Sequence, residues 1–109
     1  MNIEPVERLV EIRDKVKDIR CKSFVWPFVL EIKDGKIIIK RDYRRRRVWL
    51  IIGEDARIRV YEGSKGAKIL LEEVLPGGTD DPYVWNFLDE LYEEIDRIME
   101  RISRRVSSL

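Results

Sequence analysis

The chain predicts an α+β fold, an antiparallel sheet of four or five strands with an N-terminal helix and a long, coiled-coil-like C-terminal helix. Three observations carry that prediction. β-Branched and aromatic runs fill the middle of the chain, Gly-containing turn signals divide them, and apolar residues at helical spacing occupy both ends. The 109 residues suffice for one domain with a modest core. Residues 1–80 supply the first helix and the sheet, and residues 81–109 the closing helix, which serves packing and oligomerisation.

Pro5 suits a first helical turn, and Val6, Leu9, Val10, Ile12, Val16 and Ile19 continue an apolar stripe to about Lys22. SFVWPFVLEI, residues 23–32, reads as one strand, at an edge or bulged at Pro27, which has no N–H for a ladder. Asp34-Gly35 between Ile32 and Ile37 is a two-residue hairpin signal, and KIIIKRDY is the partner strand. RVWLIIG then turns at Gly53-Glu54-Asp55 into ARIRVYEG, and AKILLEEVL runs to Pro76-Gly77-Gly78. Asp81 is a suitable N-cap with Pro82 at the first helical position. Leu88, Leu91, Ile95, Ile98 and Ile102 follow the 3–4 spacing of a coiled-coil seam, with a second stripe through Trp85, Tyr92, Met99 and Val106. One stripe is expected on the sheet and the other against a second subunit, giving a homodimer or a tetramer.

Composition excludes several classes. Histidine is absent and Cys21 is the single cysteine, which leaves no intramolecular disulfide, no cysteine-based zinc site and no imidazole base. Asp80-Asp81 reads as helix capping, Glu72-Glu73 alternate across a strand, and the glycines match no phosphate loop. The expectation is a non-enzyme that needs no metal or cofactor. No apolar run reaches membrane-spanning length and no signal-peptide pattern is present, so a soluble, cytoplasmic protein is expected. Abundant charge, two asparagines and no glutamine match hyperthermophile usage.

The formal net charge is +1, yet residues 40–59 hold eight basic side chains against Asp42, Glu54 and Asp55. Alternation on the first hairpin pairs Ile32 with Ile37 and Leu30 with Ile39, then Phe28 with Arg41 and Trp26 with Tyr43. That face changes from aliphatic to aromatic and basic toward its open end. In the second hairpin Val48, Leu50 and Ile52 lie with Ala56, Ile58 and Val60 on the core face. The opposite face carries Arg47, Trp49 and Ile51 with Arg57, Arg59 and Tyr61. Interleaved arginines and aromatics suit single-stranded DNA or RNA, because aromatics stack on bases of any identity and arginines hold phosphates. Neither helix is strongly basic on one face, so duplex reading ranks lower. Two blander accounts stand beside this one: a charged thermostable surface, and a protein interface in a homo-oligomeric scaffold.

The hairpins FVWPFVLEIKDGKIIIKRDYRRRRVWL and the helix WNFLDELYEEIDRIMERI together resemble the ThermoDBP and ThermoDBP-related single-stranded-DNA-binding proteins of hyperthermophilic archaea. The resemblance implies a curved antiparallel sheet with packed helices forming a cleft for single strands, and association through a C-terminal helical segment. It makes Trp26, Phe28, Tyr43 and Trp49 candidate stacking residues. It makes Arg41, Arg44, Arg45, Arg46 and Arg47 candidate backbone contacts. From the alternation alone, Arg57, Arg59 and Tyr61 join them.

Overall fold

The computed structural model describes residues 4–64, 67–74 and 79–107. The Pro76-Gly77-Gly78 stop expected after the last strand lies outside them. Helix α1 (Glu4–Glu11) and a 3-10 turn (Arg13–Val16) precede six strands, β1 (Cys21–Val25), β2 (Phe28–Lys33), β3 (Lys36–Asp42), β4 (Arg47–Ile52), β5 (Ile58–Ser64) and β6 (Ala67–Val74). Helix α2 (Pro82–Ser107) follows. The strands form one antiparallel meander in chain order, open at β1 and β6.

The four or five expected strands become six because SFVWPFVLEI is two strands. The chain reverses at Trp26-Pro27, whose peptide bond is cis, and β1 folds back on β2 with Ser23 opposite Leu30 and Val25 opposite Phe28. The expected Ile32–Ile37 and Leu30–Ile39 pairs are present. Asp34 and Gly35 both take positive φ (51° and 74°), as a two-residue turn matching strand twist requires. The second hairpin also sorts as expected, with Leu50 opposite Val60 and Ile51 opposite Arg59.

The first helix stops early. After Glu11 the chain tightens, with Lys15 N–H donating to Ile12 C=O (3.0 Å), and then turns so that Val16 and Ile19 enter the core. Arg13 reaches the Glu54 carbonyl at 2.8 Å, so contact with the β4–β5 turn overrides helix propensity there.

Helix α2 starts where the sequence placed it. Asp81 Oδ1 accepts from the N–H groups of Tyr83 (2.9 Å) and Val84 (3.2 Å), satisfying two orphan donors. Thr79 Oγ1 accepts from Asp81 N–H at 3.1 Å and donates to Glu72, tying the helix start to β6. Leu88, Leu91, Ile95, Ile98 and Ile102 are all buried in the same cluster as Phe28, Leu30, Ile32, Ile37 and Ile39. The seam assigned to oligomerisation is therefore the chain's own core, because the sheet offers a wide apolar face that α2 covers together with Val6 and Leu9 of α1. Phe28 and Phe87 meet edge to face at 5.8 Å. Helix α1 packs beside α2, where Arg8 pairs with Asp96 at 2.9 Å. Tyr92 and Met99 of the second stripe lie half-buried against the same core, and Trp85 stays exposed. No described helix is long and apolar enough to cross a membrane.

Candidate nucleic-acid interface

Both helices lie on one face, and no described helix covers the other face of the sheet. Strand alternation and the pairing register decide what stands on it. Across the six strands one row reads Phe24, Val29, Lys40, Trp49, Tyr61 and Leu70. The next row reads Lys22, Glu31, Ile38, Ile51, Arg59 and Glu73. Lys33 and Lys36 close one end, and Arg47 and Lys68 flank Trp49 at the other. A pocket of about 280 Å3 lies on this face, lined by Lys36, Lys40, Trp49, Arg59, Tyr61 and Lys68 among others.

Ion pairing separates the cations that are occupied from those that are available. Asp42 holds Arg47, and the Arg47 hydrogen bond keeps the Asp42 carboxyl below its ordinary range. Asp55 holds Arg59 at 2.9 Å, and that bond likewise lowers the Asp55 carboxyl and raises the guanidinium. Glu31 holds Lys33 at 3.4 Å. Lys22, Lys36, Lys40 and Lys68 have no carboxylate in ion-pair distance among the described residues. These four lysines, on three strands because Lys36 and Lys40 share β3, hold no ion pair among the described residues, and Lys68 stands 5.2 Å over the Trp49 ring.

The arginine run is distributed differently from the expectation. Arg41, Phe28 and Tyr43 do not join the helix-free face; they belong to the face under α2. Phe28 is fully buried because it shares that face with Leu30 and Ile32. Arg41 is tolerated beside it because Glu90 of α2 supplies a carboxylate at 3.1 Å, and its guanidinium also lies 4.9 Å over the Tyr43 ring. Tyr43 Oη donates to Glu90 at 2.7 Å, and burial followed by that bond raises its pKa above the ordinary phenol value. Arg46 pairs with Glu62 at 2.9 Å and stacks over Tyr43 and Tyr83. Arg57 pairs with Asp55 and Glu73 near the β4–β5 turn. Within the run, Arg44 and Arg45 are exposed and hold no ion pair among the described residues, at the tip of the two-residue turn closed by Tyr43 N–H and Arg46 C=O (2.7 Å).

Of the proposed stacking residues, Trp26 is 78% exposed but sits in the β1–β2 turn, whereas Trp49 is only 8% exposed. Trp49 lies under no helix. Two cations, Arg47 (5.9 Å) and Lys68, stand over its ring. Tyr61, its cross-strand neighbour, is half-buried. Sequence reasoning missed Phe24, Lys22, Lys36, Lys40 and Lys68, whose alternation positions were readable but whose alignment into rows requires the register. Among the described residues no cluster of His, Cys, Asp or Glu is arranged to hold a metal. Comparison with known proteins finds no matching family model, no matching curated protein and no matching solved structure.

Proposed function

We propose that this protein binds single-stranded DNA or RNA without catalysis and with little sequence preference, across the helix-free face of its sheet. The observation that carries the reading is the cross-sheet row Phe24–Lys40–Trp49–Tyr61, accompanied by lysines that hold no ion pair among the described residues. Strands lie about 4.8 Å apart, so the row from Phe24 to Tyr61 spans about 19 Å. A nucleotide chain laid along it meets the Phe24 ring, then Val29 and the Lys40 cation, then the adjacent rings of Trp49 and Tyr61. The ThermoDBP likeness implies single-strand binding too, but of its four stacking candidates this row holds Trp49 alone, and lysines take the role it gives to arginines.

Trp49 becomes available to a base when Lys68 and Arg47 swing off its ring. Two cation–π contacts of about 0.5–1 kcal/mol each are exchanged for one base stack of about 1–3 kcal/mol, which nearly balances. The phosphate that Lys68 gains tips the exchange toward the nucleotide, whereas Arg47 already has Asp42. A second reading, a homo-oligomeric scaffold without a ligand, is favoured by the exposed apolar side chains Phe24, Ile69 and Leu70 on the outer strands.

The test is fluorescence anisotropy with labelled mixed-sequence single strands, DNA and RNA, against matching duplexes. Single strands bind at low salt, and Lys36→Glu with Lys40→Glu abolishes binding in a folded protein. Absence of binding at low salt removes the nucleic-acid reading and leaves the scaffold.

A further inference from the structure

Strands β1 and β6 are the two edges of the sheet, and neither has a neighbour beyond it among the described residues. Soluble proteins ordinarily blunt such edges with charge, brevity or a cover. Here large apolar side chains stand on both edges, Phe24 at 68% exposure on one, Ile69 and Leu70 on the other. We infer that β1 of one molecule pairs antiparallel with β6 of a second copy, joining the sheets edge to edge and head to tail.

The register makes the two edges complementary. Edge strands of a six-stranded meander run in opposite directions, so a second copy continuing the sheet meets β1 in antiparallel sense. The row that begins with Phe24 ends with Leu70, and the row that begins with Lys22 ends with Glu73. Continuing the rows therefore sets Phe24 against Leu70 of the second copy and Lys22 against its Glu73. Apolar meets apolar and cation meets anion.

Two backbone details fit the same pairing. Leu70 and Glu73 are three residues apart, whereas Phe24 and Lys22 are two apart. The register shift between Val60 and Tyr61 leaves Leu71 outside the ladder, which brings the two spacings into step. The two-residue turn at Asp34-Gly35 closes on a hydrogen-bonded pair, Lys33 with Lys36. Alternation from that pair across all five ladders turns the N–H and C=O of both Phe24 and Leu70 toward the free edges. An interface of this kind uses two different patches, so it repeats into a ring or a filament rather than closing as a two-fold dimer.

Sedimentation velocity over a concentration series, without nucleic acid, tests this. The wild type gains mass with concentration, less so at high salt. Lys22→Glu or Glu73→Lys alone weakens association about tenfold or more through like-charge contact. The double exchange restores it, as does mixing the two single variants. Phe24→Ser, at an exposed position, weakens association without lowering the melting temperature, and with Lys22→Glu it carries the test if Glu73→Lys, beside Arg57 and Arg59, fails to fold. A single-chain mass at every wild-type concentration overturns the inference, as does a double exchange no better than either single.

Discussion

Tyr43 and Glu90, forty-seven residues apart, are joined by a 2.7 Å hydrogen bond, and the same Glu90 oxygen takes Arg41 at 3.1 Å. This small cluster fastens α2 to the rim of the sheet and explains how an arginine sits beside a core phenylalanine. Glu90→Gln leaves Arg41 without its counter-charge, and its Nε already has no hydrogen-bond partner. The expected loss is about 1–3 kcal/mol, read as a lower urea midpoint with unchanged single-strand affinity.

Leu91→Ala separates the core from an assembly seam. Leu91 is fully buried between α2 and the sheet, so truncation costs about 2–5 kcal/mol. The loss is expected in unfolding measured at low concentration, where an intersubunit seam would contribute nothing. Trp85→Ala, on the exposed flank of the same helix, leaves the midpoint within about 0.5 kcal/mol.

Much of this architecture was legible because its signals are local. Asp34-Gly35 requires a turn, period-two alternation assigns faces, and Asp81-Pro82 begins a helix. The early end of α1 was not, since it depends on Arg13 meeting the Glu54 carbonyl across the fold. Trp26-Pro27 reads equally as a strand irregularity or as a reversal, because the proline removes a ladder donor in both cases. The 3–4 stripe of α2 states that something apolar covers it, and only the fold identifies that cover as the chain's own sheet. The arginine run drew attention as a contiguous motif, yet Asp42, Glu62 and Glu90 neutralise three of its five arginines. Lys22, Lys36, Lys40 and Lys68 are scattered in sequence and become one surface through pairing alone.

Salt dependence counts those lysines. Four cations that hold no ion pair among the described residues, on the helix-free face, give a slope of log K against log salt of about −3 for a single strand, at about −0.7 per phosphate neutralised. Lys40→Ala reduces the magnitude of that slope by about 0.7. Arg46→Ala and Arg57→Ala change it little, because their charges are already engaged by carboxylates. Anisotropy titrations at four or five salt concentrations give the slopes, and an unchanged slope in Lys40→Ala removes that lysine from the contact set.

Alkaline pH tests the packing of α1 on α2. The Tyr92 hydroxyl is buried without a hydrogen-bond partner among the described residues. Burial first, then the charges of Asp89 and Glu7, push its pKa up to about 12 from an ordinary 10.0. The folded-state value is the raised one, so the stabilisation is complete below the unfolded value and is lost as pH rises toward the folded value. Between pH 10 and 12 the unfolded chain releases a proton that the folded chain retains, and stability falls. Tyr43, raised in the same direction by burial and Glu90, adds to that fall. Tyr92→Phe removes one titrating group and one unsatisfied hydroxyl together. At pH 7 its urea midpoint is expected to equal or exceed that of the wild type, and the decline above pH 10 becomes shallower but persists through Tyr43. A variant that loses stability at pH 7 would mean that the hydroxyl has a partner, and an unaltered decline would mean that Tyr92 does not titrate in this window.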